Sequence, residues 1–527
     1  MKQIFLASVQ KIIRSRHLDL AVLVGGISVY CAQVLSTMSQ WTMWFDEAFS
    51  AYISRYSFAD IFRYTSGDVH PPLYYWILKV WSLLFGTSDI AFRSLSMLFG
   101  ALAITFGFLL VKRLFGRKAA WISLLFLIIS PMLIRYGQET RMYAMATAIA
   151  ISATYVLVVA KGSKKMLPWI IYGILLAAGL WTHYFIAVVW IAHWVWRAVV
   201  IWQGRFRGRH YLHQFFSREW LIAHGLAIVL FVPWVKFMID QLLDIQGGWF
   251  WIPPVGVHTL PDYLATILFF RSHESVGPWM AIIFVTISIT LVVLLIRVYR
   301  HSSALQRQNY LLLICMSVVP VLMVFIISLP PLKSSFIERY LLPSVLSFSL
   351  LAAVLIAAMP RRRVPWAQIG AVVLVASALL MGVTHAQTIG NFNKSAGVSI
   401  QTKEVIAEIA KRSTGNEPII SRSPWLFYEA VFYETAQHSV YYLRSTVVIE
   451  GSGSLAMLQG NDSHNITDLS AFASSRPLVW YFGEPGDKDI VAPAEGWTMV
   501  QSFRIDDPVT GKQRYQAMQF RTNAIEE

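Results

Sequence analysis

Charged residues are scarce in this 527-residue chain. Only 14% of the residues are Asp, Glu, Lys or Arg, whereas 56% are hydrophobic, and the mean hydropathy is +0.53. Soluble globular domains carry about 25% charged residues. This shortage therefore excludes an ordinary soluble enzyme and predicts a protein with many membrane-spanning segments.

Cysteine is also scarce. The only two cysteines, Cys31 and Cys315, both lie within apolar runs. This excludes a disulfide framework and a cysteine-based metal site, and we interpret both as small core residues. The sequence also lacks a Gly-rich phosphate loop between a strand and a helix, so it gives no sign of nucleotide binding.

Acidic residues are outnumbered by basic ones, 29 against 44, for a net charge of +15. The basic residues cluster in short loops between apolar runs, such as KRLFGRK at 112–118, KGSKK at 161–165 and RFRGRH at 205–210. Because basic loops are retained in the cytoplasm, membrane topology explains the charge better than nucleic-acid binding does. We expect no nucleic-acid partner.

Long apolar runs alternate with these loops. A bilayer crossing needs roughly 20 mostly apolar residues, and about eleven runs meet this rule. They lie at residues 20–37, 91–110, 119–134, 142–160, 167–181, 185–202, 221–235, 278–296, 311–329, 340–359 and 364–383.

One shorter apolar run, LYYWILKVWSLLFG at 73–86, has a different interpretation. If it crossed the bilayer, every later basic loop would lie outside. We therefore expect a helix at the outer interface, anchored by its aromatic rings. The N-terminus is then cytoplasmic, and the first outer loop (39–90) and the C-terminal part face out.

The C-terminal part has a different composition, with more charged residues, Gly and Ser. EVIAEIAKR (404–412) has apolar residues at helical spacing, whereas SVYYL, PLVWYF and YQAMQF are typical of short strands. The predicted fold class is mainly α: a polytopic bundle of about 11 transmembrane helices, with interfacial helices on the outer face. Residues 1–388 form the membrane domain and 389–527 a small extracytoplasmic α/β domain.

Polar residues are concentrated on the predicted outer face. Carboxylates held near an acceptor hydroxyl can remove its proton, and arginines can neutralise a phosphate at headgroup depth. Transfer of a group from a lipid phosphate would use this mixture. The candidate residues are Asp46, Glu47, Asp68, His70, Glu139, Arg141, Tyr143, His183, Arg339 and Tyr340.

Each of these residues also has a purely structural interpretation. Asp46, Glu47 and Asp68 could cap helices or lie in solvent at the interface. His183 could belong to the aromatic belt, and the arginines could extend from span ends towards water. Glu139 could form an ion pair with a neighbouring arginine.

The order of the motifs carries more information than any single residue. WFDEAFS, HPPLYYW, GQETRMYA, THYF and RYLLP follow one another along the first 345 residues or so. This string resembles the bacterial glycosyltransferase family 39 group of the GT-C superfamily, which is related to protein O-mannosyltransferases and lipid A aminoarabinose transferases. The resemblance implies a GT-C fold, a polyprenyl-phosphate-linked sugar as donor, such as an undecaprenyl phosphate sugar, and a bacterial inner or plasma membrane location.

The resemblance also implies roles for particular residues. Asp46 falls on the family's essential first-loop aspartate, with Glu47 as its neighbour. His70 stands where the aminoarabinose transferases have a phosphate-contacting lysine, which leaves a weaker and pH-sensitive cation. Arg141 and Tyr143 match an ARPY-like pattern, with Met142 in place of proline, and Arg339 with Tyr340 matches a late RY motif.

The function that this resemblance implies is an inverting sugar transfer of the EC 2.4 class. Asp46 would deprotonate the hydroxyl of a lipid, glycan or protein acceptor, while Arg141, Arg339 and His70 would stabilise the departing polyprenyl phosphate. No cofactor is expected with certainty; a divalent metal at Asp46, Glu47 and Asp68 is left open but is not indicated. The alternative is a polytopic transporter or flippase for lipid-linked or polar substrates, and a third reading is a structural scaffold for the C-terminal domain.

Overall fold

The computed structural model describes residues 16–204, 209–247, 251–360, 366–388, 401–443, 457, 463–483, 492–506 and 513–522. Helices dominate the first 388 residues. They are α1 (Arg16–Met38), α2 (Phe45–Ile53), α3 (Phe58–Ser66), α4 (Leu73–Phe85), α5 (Asp89–Phe115), α6 (Arg117–Ile128), α7 (Pro131–Gly137), α8 (Tyr143–Lys161), α9 (Leu167–Thr182), α10 (Ile186–Gln203), α11 (Arg209–Phe215), α12 (Arg218–Gly247), α13 (Thr259–Phe269), α14 (Pro278–His301), α15 (Ala304–Ile327), α16 (Leu342–Ala357) and α17 (Trp366–Thr388).

Within the described residues, nine helices are long and apolar enough to cross a membrane. The helices α6 and α7, which meet at a 57° bend, provide a tenth crossing if they form one span. The predicted span at 167–181 corresponds to α9, a shorter apolar helix. The prediction of a polytopic, mainly helical membrane protein is confirmed, and the predicted outer-interface run forms the 13-residue helix α4.

The chain folds into two compact units. The first comprises Met1–Ser36, Arg93–Lys236 and Phe250–Gln387; the second comprises Thr37–Phe92, Phe237–Trp249 and Thr388–Glu527. The second unit therefore contains both the first predicted outer loop and the C-terminal segment.

Small residues permit close helix packing in the first unit. A Cβ added at Gly173 of α9 would collide with the backbone carbonyl of Ala223 in α12. Close backbone approach of this kind is how membrane helices gain packing contacts, because lipid provides no hydrophobic driving force between them. Facing residues such as Ala150, Ala153 and Leu176 belong to the same buried cluster.

A six-stranded sheet forms the centre of the C-terminal segment. Its elements are α18 (Gln401–Arg412), β1 (Ile419–Ser421), α19 (Pro424–Phe432), β2 (Val440–Leu443), β3 (Asn465–Ile466), α20 (Leu469–Ser474), β4 (Leu478–Gly483), β5 (Thr498–Asp506) and β6 (Gln513–Arg521). The strand order is β3-β2-β1-β4-β6-β5. The strands β1 to β4 are parallel, and β6 is antiparallel to both β4 and β5.

These strands and α18 contain the segments that were predicted from residue spacing, so the small α/β region is confirmed. Its core is formed by residues from several strands, among them Ile420, Val479 and Phe520. The strand β1 lies between β2 and β4, and α19 follows it directly. The start of α19 is therefore fixed by a central strand of the sheet.

Candidate active site

The acidic pair predicted from WFDEAFS lies at the start of a short helix in the second unit. Trp44 has an extended backbone and caps α2, and both Asp46 and Glu47 fall in the first helical turn. Carboxylates are stabilised there by the partial positive charge of a helix N-terminus. Glu47 is fully buried, whereas Asp46 is partly exposed. Of the two, Asp46 is the one that a substrate in solvent could approach.

The acidic Asp68 and the basic His70 lie close together between α3 and α4. The Nδ1 atom of His70 is 3.8 Å from Oδ2 of Asp68, and both side chains are buried. The two prolines that follow, Pro71 and Pro72, precede the first turn of α4. Asp68 and His70 therefore form an ion pair whenever the imidazole is protonated.

In the first unit, a fully buried polar loop connects α7 to α8. Its residues 138–142 have relative exposures of 0–3%, although Gln138, Glu139, Thr140 and Arg141 are all polar or charged. The Ser96 hydroxyl of α5 donates a hydrogen bond of 2.5 Å to the Glu139 carbonyl, and the Arg141 amide donates to the same carbonyl at 2.7 Å. The loop that carries Arg141 is thus held by one hydrogen bond from α5 and by one within the loop itself.

Glu139 also pairs with Arg135, four residues earlier. The Nη2 atom of Arg135 is 3.4 Å from Oε2 of Glu139, and each side chain is 2% exposed. Within the part of the chain that the structure describes, Nη1 of Arg135 and Oε1 of Glu139 have no hydrogen-bond partner. Buried polar atoms without partners are costly, so this pair could receive a polar group of a bound ligand.

Aromatic rings surround the guanidinium of Arg339. Its Cζ atom lies 5.0 Å from the ring centre of Trp251, 5.5 Å from that of Tyr143 and 5.9 Å from that of Tyr340. The side chain is 3% exposed. A guanidinium in this position is stabilised by cation–π contacts. It stays positively charged and can therefore bind an anion.

Tyr143, His183 and Tyr340 come together beside this guanidinium. The ring of His183 lies 4.7 Å from that of Tyr340 and 5.9 Å from that of Tyr143. Phe185 stacks on Tyr340 at 5.0 Å. These residues and Arg339 line a small pocket, so the structure brings together four of the residues predicted from three separate motifs.

Tyr263 of α13 is a polar residue whose environment includes Glu338, the residue before Arg339. Burial, and then the negative charge of Glu338, raise the pKa of the Tyr263 phenol well above its ordinary value. Tyr263 therefore stays neutral near Glu338.

The first unit also contains an apolar cavity of about 320 Å³. Its walls come from α6 and from α13 to α17, including Phe126, Leu264, Phe284 and Leu355. The lining is almost entirely hydrocarbon, with Ser288 and Ser349 as its two hydroxyl side chains. Such a cavity can accept an acyl or isoprenoid chain.

Among the described residues, no three His, Cys, Asp or Glu side chains cluster in a way that could hold a metal ion. The candidate residues divide between the two units: Asp46, Glu47, Asp68 and His70 belong to the second, and the others to the first. Sequence reasoning missed Ser96 as a support of the Glu139 carbonyl and Trp251 as a partner of Arg339. Ser96 gave no signal, because a serine within an apolar helix is common.

Comparisons with known proteins identify similar folds. A family model described as dolichyl-phosphate-mannose-protein mannosyltransferase matches residues 69–237. The crystal structures of ArnT from Cupriavidus metallidurans, apo and bound to undecaprenyl phosphate, both have a TM-score of 0.60 and 14% identity, covering 94% of this chain and 97% of ArnT. No curated protein sequence matches the chain.

Two further structures are similar over most of this chain. The archaeal oligosaccharyltransferase AglB from Archaeoglobus fulgidus, in complex with an inhibitory peptide and a dolichol-phosphate, has a TM-score of 0.51 and 11% identity, covering 88% of this chain and 69% of AglB. The arabinofuranosyltransferase AftD from Mycobacteria has a TM-score of 0.51 and 12% identity, covering 97% of this chain and 40% of AftD. The predicted resemblance is thus confirmed: the chain has the fold of the GT-C membrane glycosyltransferases, and its residues 69–237 match the model of the dolichyl-phosphate-mannose-protein mannosyltransferase family.

Proposed function

We propose that the protein is a membrane glycosyltransferase of the EC 2.4 class. It moves a sugar from a polyprenyl-phosphate-linked donor to the hydroxyl of a lipid, glycan or protein acceptor, with inversion at the anomeric carbon. The observation that carries the proposal is the buried guanidinium of Arg339 among three aromatic rings, within a fold for which ArnT was solved with undecaprenyl phosphate.

The donor phosphate is assigned to Arg141 and Arg339. Both are 3% exposed, and a largely desolvated guanidinium interacts more strongly with an anion than one in water does. A guanidinium also offers a planar fork that matches two phosphate oxygens. As the sugar leaves, negative charge grows on the phosphate, and prearranged cations stabilise that charge. His70 provides a further, pH-dependent cation.

The lipid chain of the donor is assigned to the first unit, where the apolar cavity walled by α13 to α17 has the right chemistry for an isoprenoid. The pocket lined by Tyr143, His183 and Tyr340 supplies aromatic rings and hydroxyl groups. These are suited to contact the sugar or the phosphate linkage.

Asp46 is assigned as the base, with buried Glu47 supporting it. In the proposed reaction, Asp46 takes the proton of the acceptor hydroxyl while that oxygen bonds to the anomeric carbon. The bond between the anomeric carbon and the phosphate oxygen breaks, and the electron pair leaves with the polyprenyl phosphate. Displacement from the opposite face inverts the configuration. Asp68 and Glu139 are assigned to supporting roles.

The reaction is proposed to occur on the outer face of the cell membrane. The alternation of basic loops supports a cytoplasmic N-terminus and an extracytoplasmic C-terminal domain. A lipid-linked donor suits that side. The lipid carries the activated sugar across the membrane, so no nucleotide sugar is needed there.

The test is to incubate purified protein with a panel of undecaprenyl-phosphate-linked monosaccharides and a membrane extract that supplies acceptors. Formation of free undecaprenyl phosphate is measured by mass spectrometry. We expect one or a few donors to be cleaved, and Asp46→Asn to lower turnover by about 10²- to 10⁴-fold. A transporter or flippase would move the donor across liposome membranes without breaking the sugar–phosphate bond, and that result would contradict the proposal.

A further inference from the structure

The helix α2, which carries Asp46 and Glu47, packs along the C-terminal helix α19. Three aromatic residues of α2, Phe45, Phe49 and Tyr52, are spaced so that they lie on one helical face. The ring of Tyr428 in α19 contacts all three, with centroid distances of 5.6, 5.7 and 5.4 Å. All three contacts are edge-to-face, the arrangement that aromatic pairs favour.

Further contacts extend this packing along the helix. Trp425 meets Phe45 at 4.7 Å, and Phe427 meets Tyr52 at 5.7 Å. Tyr428 is completely buried. Phe49, Tyr52 and Phe427 are buried as well, whereas Phe45 is half-buried and Trp425 is 44% exposed. The buried part of this interface resists sliding and rotation, because interiors are close-packed and side chains have few alternative positions.

Both ends of α2 are held by the residues that follow α19. Before the helix, the backbone N–H of Met43 donates a 2.8 Å hydrogen bond to the Tyr433 hydroxyl. After it, Nη1 of Arg55 lies 3.6 Å from Oε1 of Glu434. Arg55 is 47% exposed, so this ion pair contributes little stability. Of the two end contacts, the hydrogen bond is therefore the stronger, and it holds the helix together with the aromatic face. On another side of α2, Phe49 also meets Tyr75 of α4 at 6.0 Å.

The packed face determines where Asp46 points. Neighbouring residues on a helix are separated by about 100°, and side-chain tips lie roughly 5–6 Å from the axis. A rotation of about 20° would therefore move the Asp46 carboxylate by roughly 2 Å. A misplacement of about 1 Å is enough to lower a rate by about 10²-fold.

We propose that Tyr428 is a positioning residue of the transfer reaction, and that α19 of the C-terminal segment serves as the template that orients the Asp46-bearing helix. This inference rests on the proposed function of Asp46. It gives the C-terminal segment a role in catalysis that is independent of any partner it binds.

The test compares two substitutions of buried aromatic residues in the same unit. Tyr428→Leu removes the ring that contacts all three aromatic residues of α2. Phe520→Leu is the control: it removes a similar volume from the core of the sheet, where Phe520 packs with Val479 and Met518. With a donor that the wild-type protein cleaves, Tyr428→Leu should lower kcat by about 10- to 100-fold. The Kd for undecaprenyl phosphate should stay unchanged, because that ligand is assigned to Arg141 and Arg339.

Conservative variants separate positioning from folding. Tyr428→Phe keeps the ring and should stay within about threefold of the wild-type kcat, which is the effect of losing at most one hydrogen bond. Tyr433→Phe keeps the ring, removes the acceptor of the Met43 N–H and should lower kcat by about two- to tenfold. This second variant tests the template even if Tyr428→Leu does not fold. Equal losses of kcat in Tyr428→Leu and Phe520→Leu, or an unchanged kcat in Tyr433→Phe, would overturn the inference.

Hydrogen exchange tests the same packing without an activity assay. Amides of α2 should exchange faster in Tyr433→Phe and Tyr428→Leu than in the wild type, and Phe520→Leu should leave them unchanged. If the wild-type protein cleaves no donor but this exchange pattern is found, the proposed function fails while the template remains. If donors are cleaved and α2 exchange does not respond to either tyrosine, the template fails alone.

Discussion

Replacement of Arg339 by lysine tests the assignment of the donor phosphate. The arginine is 3% exposed and faces Trp251, Tyr143 and Tyr340 at 5.0, 5.5 and 5.9 Å. Lysine keeps the positive charge. It loses the planar surface that stacks on aromatic rings and the forked donors that match two phosphate oxygens.

The size of the effect follows from the contacts that lysine cannot make. A hydrogen bond to a charged group contributes about 1.5–3 kcal/mol, and each 1.4 kcal/mol changes affinity tenfold. Loss of one such bond predicts a Kd for undecaprenyl phosphate that is roughly 10- to 100-fold higher in Arg339→Lys. Trp251 is 39% exposed, and a partly solvated cation–π contact contributes only about 0.5–1 kcal/mol. Trp251→Ala should therefore weaken binding about two- to fivefold.

The assay is native mass spectrometry of the detergent-solubilised protein titrated with undecaprenyl phosphate. Trp279→Ala is the matched control, because Trp279 is a tryptophan of the same unit that is 79% exposed. Binding by this control should equal that of the wild type. An unchanged Kd in Arg339→Lys, or a larger loss in Trp251→Ala than in Arg339→Lys, would refute the assignment.

Three further predictions concern the other cations and the topology. Arg141→Lys should weaken donor binding and Arg141→Gln should weaken it more, because glutamine leaves the phosphate without a charge partner. If both variants bind the donor as tightly as the wild type does, Arg141 does not belong to the site. Activity should fall as pH rises and the His70 imidazole loses its proton, and His70→Lys should flatten this limb of the pH–rate profile; a profile that His70→Lys leaves unchanged would contradict the role. In a chain whose native cysteines are replaced, an impermeant thiol reagent added to intact cells should label Ser474→Cys and not Lys164→Cys; the reverse pattern would place the C-terminal domain inside.

Local patterns predicted most of the secondary structure. Long apolar runs gave the transmembrane helices because a bilayer imposes a length and a composition on each crossing. The segment EVIAEIAKR has an apolar spacing that fits only a helix, and it lies within α18. The bend between α6 and α7 was not predicted, although Ser130 and Pro131 in the middle of the run are a helix-start signal.

The site could be predicted only in part. The motif order pointed to Tyr143, His183, Arg339 and Tyr340, and these residues do line one pocket. The contact of Trp251 with Arg339 was not predicted, since the two residues lie far apart in the sequence and no periodic pattern connects them. The packing of Tyr428 against α2 was missed for the same reason, and the short apolar segment that contains it predicted only a buried element.

The lipid that copurifies with Asp46→Asn tests the central claim most directly. If Asp46 is the base and the arginines hold the phosphate, this variant binds its donor but transfers the sugar about 10²- to 10⁴-fold more slowly. Mass spectrometry of the extracted lipid should then detect a polyprenyl phosphate that carries a sugar, in larger amount than in the wild type, and adding Arg141→Gln should remove it. Transfer at the wild-type rate by Asp46→Asn, with no sugar-linked polyprenyl phosphate bound, would contradict the account.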